Sequence, residues 1–418
     1  MRRWIVVGLL FFGILISYVD RGNLAIAAPR LMQDFNLSPS SMGTLLSSFF
    51  WTYAVFQIPS GYLVDRFGIR AVYGAAFLVW SLASAAVGLA QTAGQILALR
   101  LALGVAESVG PLASLAYIKR NFEESRQGLP SAIYVSGLTM GPAVGALLGG
   151  ALLQWQGWRA LFLVTGLAGC LWLPFWLIFG PRDPVPANHS PIQETARMPA
   201  VAALLRSPVF WAMTISVFLY SYFWFFVLTW VPSYLVMARG MSDLKMGVAL
   251  GTPLACMSVV SLVSGALSDL LVKRTGATLA VRKLFVCSGF CIGSTLLLLL
   301  VLKGAGSIVG VFLLSLAGIG IAGGNFWALA QMTAPAQATG RVIGYLNTVA
   351  QIAGASAPLF TGWLLGPERN FTSGIIVAGC CPAIAALIIL ALVTERGLVH
   401  LKLELAPDFK SPCRTTAN

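Results

Sequence analysis

GYLVDRFGIR, residues 61–70, stands between two long apolar runs and has the make-up of a tight charged turn. Gly61, Asp65, Arg66, Gly68 and Arg70 fill five of its positions. A worn second copy, GALSDLLVKRTG at 265–276, repeats the separation of Gly61 and Asp65 in Gly265 and Asp269. Each copy follows the second apolar run of its half of the chain. The same punctuation at matched places is the trace of an internal repeat.

Working outward from these turns, a helix needs about 20 mostly apolar residues to cross a bilayer core. Runs of that kind lie near 4–28, 43–64, 71–91, 94–116, 129–152 and 159–180, and again near 208–237, 246–271, 283–303, 306–331, 338–365 and 372–394. Hydrophobic residues make up 58% of the 418 and charged residues only 10%, too little polar surface for a soluble globule of this size. The expected fold is all-α and integral to a membrane, with twelve helices in two bundles of six. GPRDPVPANHSPIQETARMPA (180–200) is the long polar, proline-rich stretch between the groups and reads as a linker. The domains are therefore expected at 1–180 and 207–394, with a cytoplasmic linker over 181–206 and a cytoplasmic tail over 395–418.

The net charge of +13 does not call for nucleic acid, because the positions of Lys and Arg account for it. With both termini on one side, nineteen of the 27 fall in segments on that side, six fall on the other, and Arg21 and Arg100 lie inside spans. The positive-inside rule then places both termini in the cytoplasm. MRRW runs straight into the first span and is expected to be an uncleaved signal anchor. Six cysteines fall in spans and Cys413 in the tail, which argues against a disulfide framework. Cys287 and Cys291 share a helical face but have no His or acid on their span, so packing is the expected role and no metal is called for. His189 and His400 fall in the linker and the tail and are expected to be solvated. No phosphate-binding loop or nucleophile elbow is present, so neither an ATP-driven pump nor an enzyme is indicated.

The 61–70 stretch resembles the loop signature of the major facilitator superfamily. The last position of that signature is often basic, whereas Ala71 stands here. Span number, linker and degenerate second copy extend the resemblance over the whole chain. It implies that the acid and arginines of the loop latch cytoplasmic helix ends together in one conformation. Paired bundles with an internal repeat are the architecture of alternating-access carriers.

Four charges sit where lipid or a cavity should be: Asp20 and Arg21 in ISYVDRGNLA (16–25), and Arg100 and Glu107 in ALRLALGVAESVG (98–110). Each costs on the order of 3 kcal/mol at mid-bilayer on insertion scales, so an intramembrane ionisable residue is a functional hypothesis by default. Two structural salt bridges are the bland alternative, disfavoured because buried pairs stabilise weakly compared with apolar replacements. Asp-Arg followed by Asn23, with Arg100-x3-Gly104-x2-Glu107, resembles the anion:cation symporter family of that superfamily, whose members include proton-coupled carriers of sugar acids and of aromatic or dicarboxylic acids. The resemblance implies that Arg21 grips a substrate carboxylate and that Asp20 and Glu107 bind protons. It also implies that Arg100 pairs with Glu107 and that Tyr53 touches substrate. Ser108-Val109-Gly110-Pro111 departs from the Ala-x-x-x-Pro common in that family. Asn347 and Gln351, one helical turn apart in GYLNTVAQIAGASAP, suit hydroxyl groups.

Coupling also has a physical basis. Arginine keeps its proton and its fork matches a carboxylate. A buried acid beside it stays ionised, and an anion that occupies the arginine leaves the acid to bind a proton. Two protons per monovalent anion would bring net charge inward; one would be electroneutral. SGLTMGPAVGALLGG (136–150) spaces Gly137, Gly141, Gly145 and Gly149 at i+4, a stripe for close helix packing that also resembles a motif of drug/proton antiporters. Among the aromatics of 220–235, Tyr222, Trp224 or Phe225 could stack on an apolar substrate. The expected function is proton-coupled symport of an organic anion, a sugar acid or other monocarboxylate, by a monomer in the cytoplasmic membrane. Its partners are the anion, protons and lipid, and the proton gradient stands in place of a cofactor. Proton-linked export of a drug or metabolite is the alternative, and a non-transporting sensor on the same fold a more distant one.

Overall fold

Hydrocarbon offers no partner to a backbone N–H or C=O, so segments of this length and composition close their hydrogen bonds internally as helices. The computed structural model describes residues 2–123, 126–181, 206–302, 304–333 and 339–405, and among these it is helical nearly throughout. In the first half the helices are α1 (Arg2–Asp34), α2 (Pro39–Phe67), α3 (Ile69–Val87), α4 (Ala93–Glu107), α5 (Val109–Asn121), α6 (Gly128–Cys170) and α7 (Trp172–Phe179). The second half has α8 (Pro208–Ser233), which runs on through Tyr234–Ala238, α9 (Asp243–Thr275), and α10 (Thr278–Gly293), which tightens over Ser294–Leu300. It ends with α11 (Ala305–Gln331), α12 (Thr339–Leu365), α13 (Thr372–Leu392) and α14 (Glu395–Leu405). Ser38, Thr92, Ser207 and Ser242 cap four of these helices, each accepting a backbone N–H from three residues on.

Nine described segments are long and apolar enough to cross a membrane. One of them, Gly128–Phe179, has 52 residues and turns back at Gly157, whose φ of 78° is open to glycine at no steric cost. It supplies two passes. With α2 and α12, which have 29 and 27 residues, the chain makes the twelve passes the sequence predicts. The linker expected over 181–206 falls outside the described residues except for its two ends, as do His189, Cys413, the side chain of His400 and the tail beyond 405.

The two halves repeat one set of pairings. In the first, α1 packs on α6, α2 on α4, and α3 on α4 and on the returning limb of α6. In the second, α8 packs on α12, α9 on α11, and α10 on α11 and α13. The glycine stripe of 136–150 lies on α1: a Cβ at Gly137 would meet Ile14, one at Gly141 Tyr18, one at Gly145 Val19 and one at Gly149 Ile26.

Across the halves, α2 lies against α12 and α6 against α9. Both seams are tightest at the end remote from the N-terminus. A Cβ at Gly43 would stand 2.6 Å from the Pro358 carbonyl oxygen, and one at Gly150 2.7 Å from that of Asp243. Arg30 near the end of α1 reaches Asp243 in the first turn of α9, with Nη2 2.7 Å and Nε 3.2 Å from Oδ2. At the opposite end the described ion pairs stay within one half. With the termini in the cytoplasm, the halves are closed together on the outer side.

The signature loop turns at Gly68, φ 83°. Asp65 is held by Arg120 at the end of α5, Nη2 to Oδ1 2.8 Å, and not by the loop arginines. Arg66 follows Asp65 a third of a turn round the helix and donates to Tyr62 at 3.1 Å. Arg70, beyond the turn, donates to the Leu177 carbonyl of α7. In the second copy Asp269 binds Arg282 at 2.5 Å, and Arg282 also donates to Ser268 at 2.7 Å and Asn325 at 2.8 Å. Both loops thus tie α-helical ends inside one bundle. Gly61 is in loose contact with Leu112, and Gly265 faces open space.

Candidate functional site

Successive residues on a helix point about 100° apart, and this separates Asp20 from Arg21. Asp20 turns inward, 1% exposed; its Oδ1 accepts the Ser84 hydroxyl of α3 at 3.1 Å and the Asn23 amide at 3.5 Å. Asn23 also donates to Thr165 at 2.8 Å, which ties α1 to the returning limb of α6. Arg21 turns toward α2 and α4. Its Nε donates to Glu107 Oε2 at 2.6 Å, and the Ser17 hydroxyl donates to the same oxygen at 2.6 Å. The guanidinium carbon lies 4.6 Å from the centre of the Tyr53 ring and 4.7 Å from those of Tyr18 and Phe49. Three π-faces and one carboxylate therefore hold a single cation.

Arg100 is not the partner of Glu107. Seven residues along one helix set their Cα atoms about 10 Å apart along the axis, while α1 crosses at the level of Glu107 and brings Arg21 directly to it. Arg100 instead lies 5.3 Å from the Phe49 ring, 3% exposed, with Nε and Nη1 buried and without a hydrogen-bond partner. Close approach of α2 and α4 permits this: a Cβ at Gly104 would collide with the Phe49 carbonyl and the Thr52 hydroxyl. Thr52 donates to the Leu101 carbonyl at 2.8 Å, and the Ser60 and Ser108 hydroxyls meet at 2.6 Å.

Arg21 and Arg100 both border a small cavity of about 50 Å³ between the halves. Tyr18, Phe49, Phe50 and Pro142 line it from the first half and Phe225, Leu228, Thr229, Leu250 and Leu254 from the second. Phe50 and Phe225 meet edge to face across the seam, 4.8 Å between centres. The two acids do not border the cavity; they lie behind Arg21 within the first half. The four charges are thus neighbours, but of them only the two cations face the cavity. A larger recess of about 580 Å³, on the flank of α3 and α7 beside Arg70, holds none of them.

The other expected contacts are more scattered. Tyr53 is 4% exposed, under Arg21. Gln351 is half-buried, with a buried and unpartnered Oε1. Asn347 is exposed and Trp224 half-buried, and neither borders the small cavity. Tyr222 bonds Thr361 at 2.9 Å inside the second half and does not border the cavity. The Arg30–Asp243 pair escapes a reading by sequence: its members stand 213 positions apart, each at a helix end where a charge is unremarkable.

The description of the Major Facilitator Superfamily matches residues 10–358. The chain is 28% identical to a probable galactarate/D-glucarate transporter of Bacillus subtilis, over 98% of this chain and 96% of the relative. It is 30% identical to a probable galactarate/D-glucarate transporter of Escherichia coli K12, over 96% and 95%. A hexuronate transporter of Bacillus subtilis is 29% identical over 93% and 94%. In fold it is similar to a bacterial homologue of the human lysosomal transporter Spinster, with a TM-score of 0.74, 16% identity and 99% of both chains covered. A D-xylose-proton symporter gives a TM-score of 0.69 at 18% identity, over 94% of this chain and 99% of that one. A multi-pass membrane transporter and not an enzyme, the chain belongs to the Major Facilitator Superfamily.

Proposed function

We propose that this chain carries an organic anion, a sugar acid or another monocarboxylate, into the cell together with protons, by alternating access across the cytoplasmic membrane. The observation that carries the reading is Arg21 on the wall of the inter-bundle cavity, paired at 2.6 Å with Glu107 behind it. Arg100 beside it, cationic and free of any carboxylate, supports anion capture, and the sugar-acid specificity in the names of the relatives supports the class.

Charge balance supplies the coupling. With Asp20 and Glu107 ionised, the two acids cancel the two guanidiniums. Each proton taken up leaves one guanidinium uncompensated, and an anion restores the balance in a space too dry to leave it unmatched. An anion that engages Arg21 in turn releases Glu107 from its counter-charge, and Glu107 then binds a proton more readily. Neither ligand is stably held without the other. The bundles rock when the charges are matched, and Asp65 and Asp269 serve as latches at the inner helix ends.

The test uses purified protein in proteoliposomes. Substrate-induced current and internal pH are recorded for sugar acids and aromatic acids, with Asp20→Asn and Glu107→Gln beside the wild type. Proton co-entry with substrate, lost in the variants, is expected. Protons moving against substrate would overturn symport in favour of exchange.

A further inference from the structure

Neither acid touches the cavity, and the side chain of Glu107 has no exposed surface. Its Oε2 is taken by Arg21 and Ser17, whereas Oε1 is buried without a partner. A proton on Glu107 therefore meets Arg21 and three rings on the substrate side. Other polar groups lie in the interior of the same bundle. Tyr73 on α3 and Tyr134 on α6, 0% and 3% exposed, bury their hydroxyls without a hydrogen-bond partner. The Ser114 hydroxyl of α5 donates to the Gly110 carbonyl at 2.7 Å and is the neighbour shared by both phenols.

Buried polar atoms without partners are rare in native proteins and call for an explanation. The aromatic cluster of Tyr73 with Phe77, Trp80, Trp172 and Trp176 accounts for its ring but not for its hydroxyl. The hydroxyl packs where two glycines leave out a side chain. A Cβ at Gly13 on α1 would come within 2.6 Å of it, and one at Gly110 would stand 3.6 Å from the ring edge and 3.9 Å from the oxygen. Glu107, Gly110 and Ser114 follow at three and four residues and share a helical face, and the Tyr73 ring lies over the glycine between acid and serine. Tyr73 lies four residues into α3 and Tyr134 six into α6, both helices starting on the cytoplasmic side. The hydroxyls thus lie between Glu107 and the cytoplasm.

We propose that Tyr73, Ser114 and Tyr134, bridged by water, form the path by which the coupled proton leaves Glu107 for the cytoplasm, inside the first bundle and apart from the substrate cavity. The proposal rests on the proton-coupled reading above. Each hydroxyl accepts a proton on its oxygen as it passes its own onward, so none changes charge and only Glu107 ends one proton poorer. The acid stays behind Arg21 throughout, and substrate and proton leave by different doors.

The experiment compares Tyr73→Phe, Tyr134→Phe and Ser114→Ala in proteoliposomes, with D-galactonate as first probe, or whichever sugar acid gives the wild-type signal. Uptake driven by a pH gradient requires net proton release; exchange of labelled for unlabelled substrate at equal pH does not. Uptake is expected to fall about tenfold in each variant, with a larger solvent deuterium effect, while exchange stays at the wild-type rate. Wild-type uptake in Ser114→Ala and Tyr134→Phe overturns the route, as does parallel loss of uptake and exchange in all three. A wild type that moves substrate with no change of internal pH removes the coupling itself, a failure read before any variant is made.

Discussion

Replacing Arg30 with alanine should open the outer side of the protein. Asp243 is 2% exposed at its side chain and Arg30 50%. Fully exposed pairs contribute about 0.2–1 kcal/mol, and breaking a buried pair costs about 3–5 kcal/mol. A pair with one buried and one half-exposed member falls between, and Asp243, in the first turn of α9, keeps some compensation from the helix N-terminus. A loss of about 1.5 kcal/mol from the outward-closed state follows, close to a tenfold change in the ratio of the two states. Asp243→Asn removes the buried charge together with the pair, so its shift should be smaller. Spin labels at positions 40 and 370, both exposed at outer helix ends in opposite halves, report the separation by pulsed electron resonance in a cysteine-free background. Arg30→Ala should populate a longer distance that the wild type barely shows. Identical distance distributions in wild type, Arg30→Ala and Asp243→Asn would refute the assignment of this pair as an outer clasp.

Gly43→Val should abolish uptake while the protein remains folded, since even a Cβ at Gly43 would press on the Pro358 carbonyl and α2 could not close on α12; melting temperature and uptake together check this. Arg21→Lys keeps the charge but loses the planar fork stacked among Tyr18, Phe49 and Tyr53, and should weaken apparent substrate affinity by about tenfold or more in a binding titration. Asp65→Asn breaks an exposed pair with Arg120 and should cost less than about 1 kcal/mol of stability. If the pair is a latch, uptake should nevertheless slow, and unchanged uptake would leave it a surface contact. Asn325→Leu leaves Arg282 short of an acceptor at a position of 0% exposure, and should destabilise by about 1–3 kcal/mol in thermal unfolding.

The membrane passes, their number, the orientation and the repeat were legible in the sequence, because each depends on local composition. Hydrocarbon demands some 20 apolar residues at a stretch, and loop charge sets which ends stay inside. Even the pass hidden in Gly128–Phe179 shows in the polar, glycine-containing break at 154–159. The identity of the buried charges was legible too, since Asp20, Arg21, Arg100 and Glu107 stand out against apolar neighbours. Their partners were not. The family resemblance suggested Arg100 for Glu107, but a carboxylate bonds to whatever the crossing helix brings within 3 Å, and α1 brings Arg21. In the same way Asp65 takes Arg120 from another helix in place of the arginines beside it, and Arg30 finds Asp243 in the other half. Local physics settles what each segment is; which side chains meet depends on crossing points set by glycines such as Gly104, Gly43 and Gly150, where two backbones come close enough for the charges to reach.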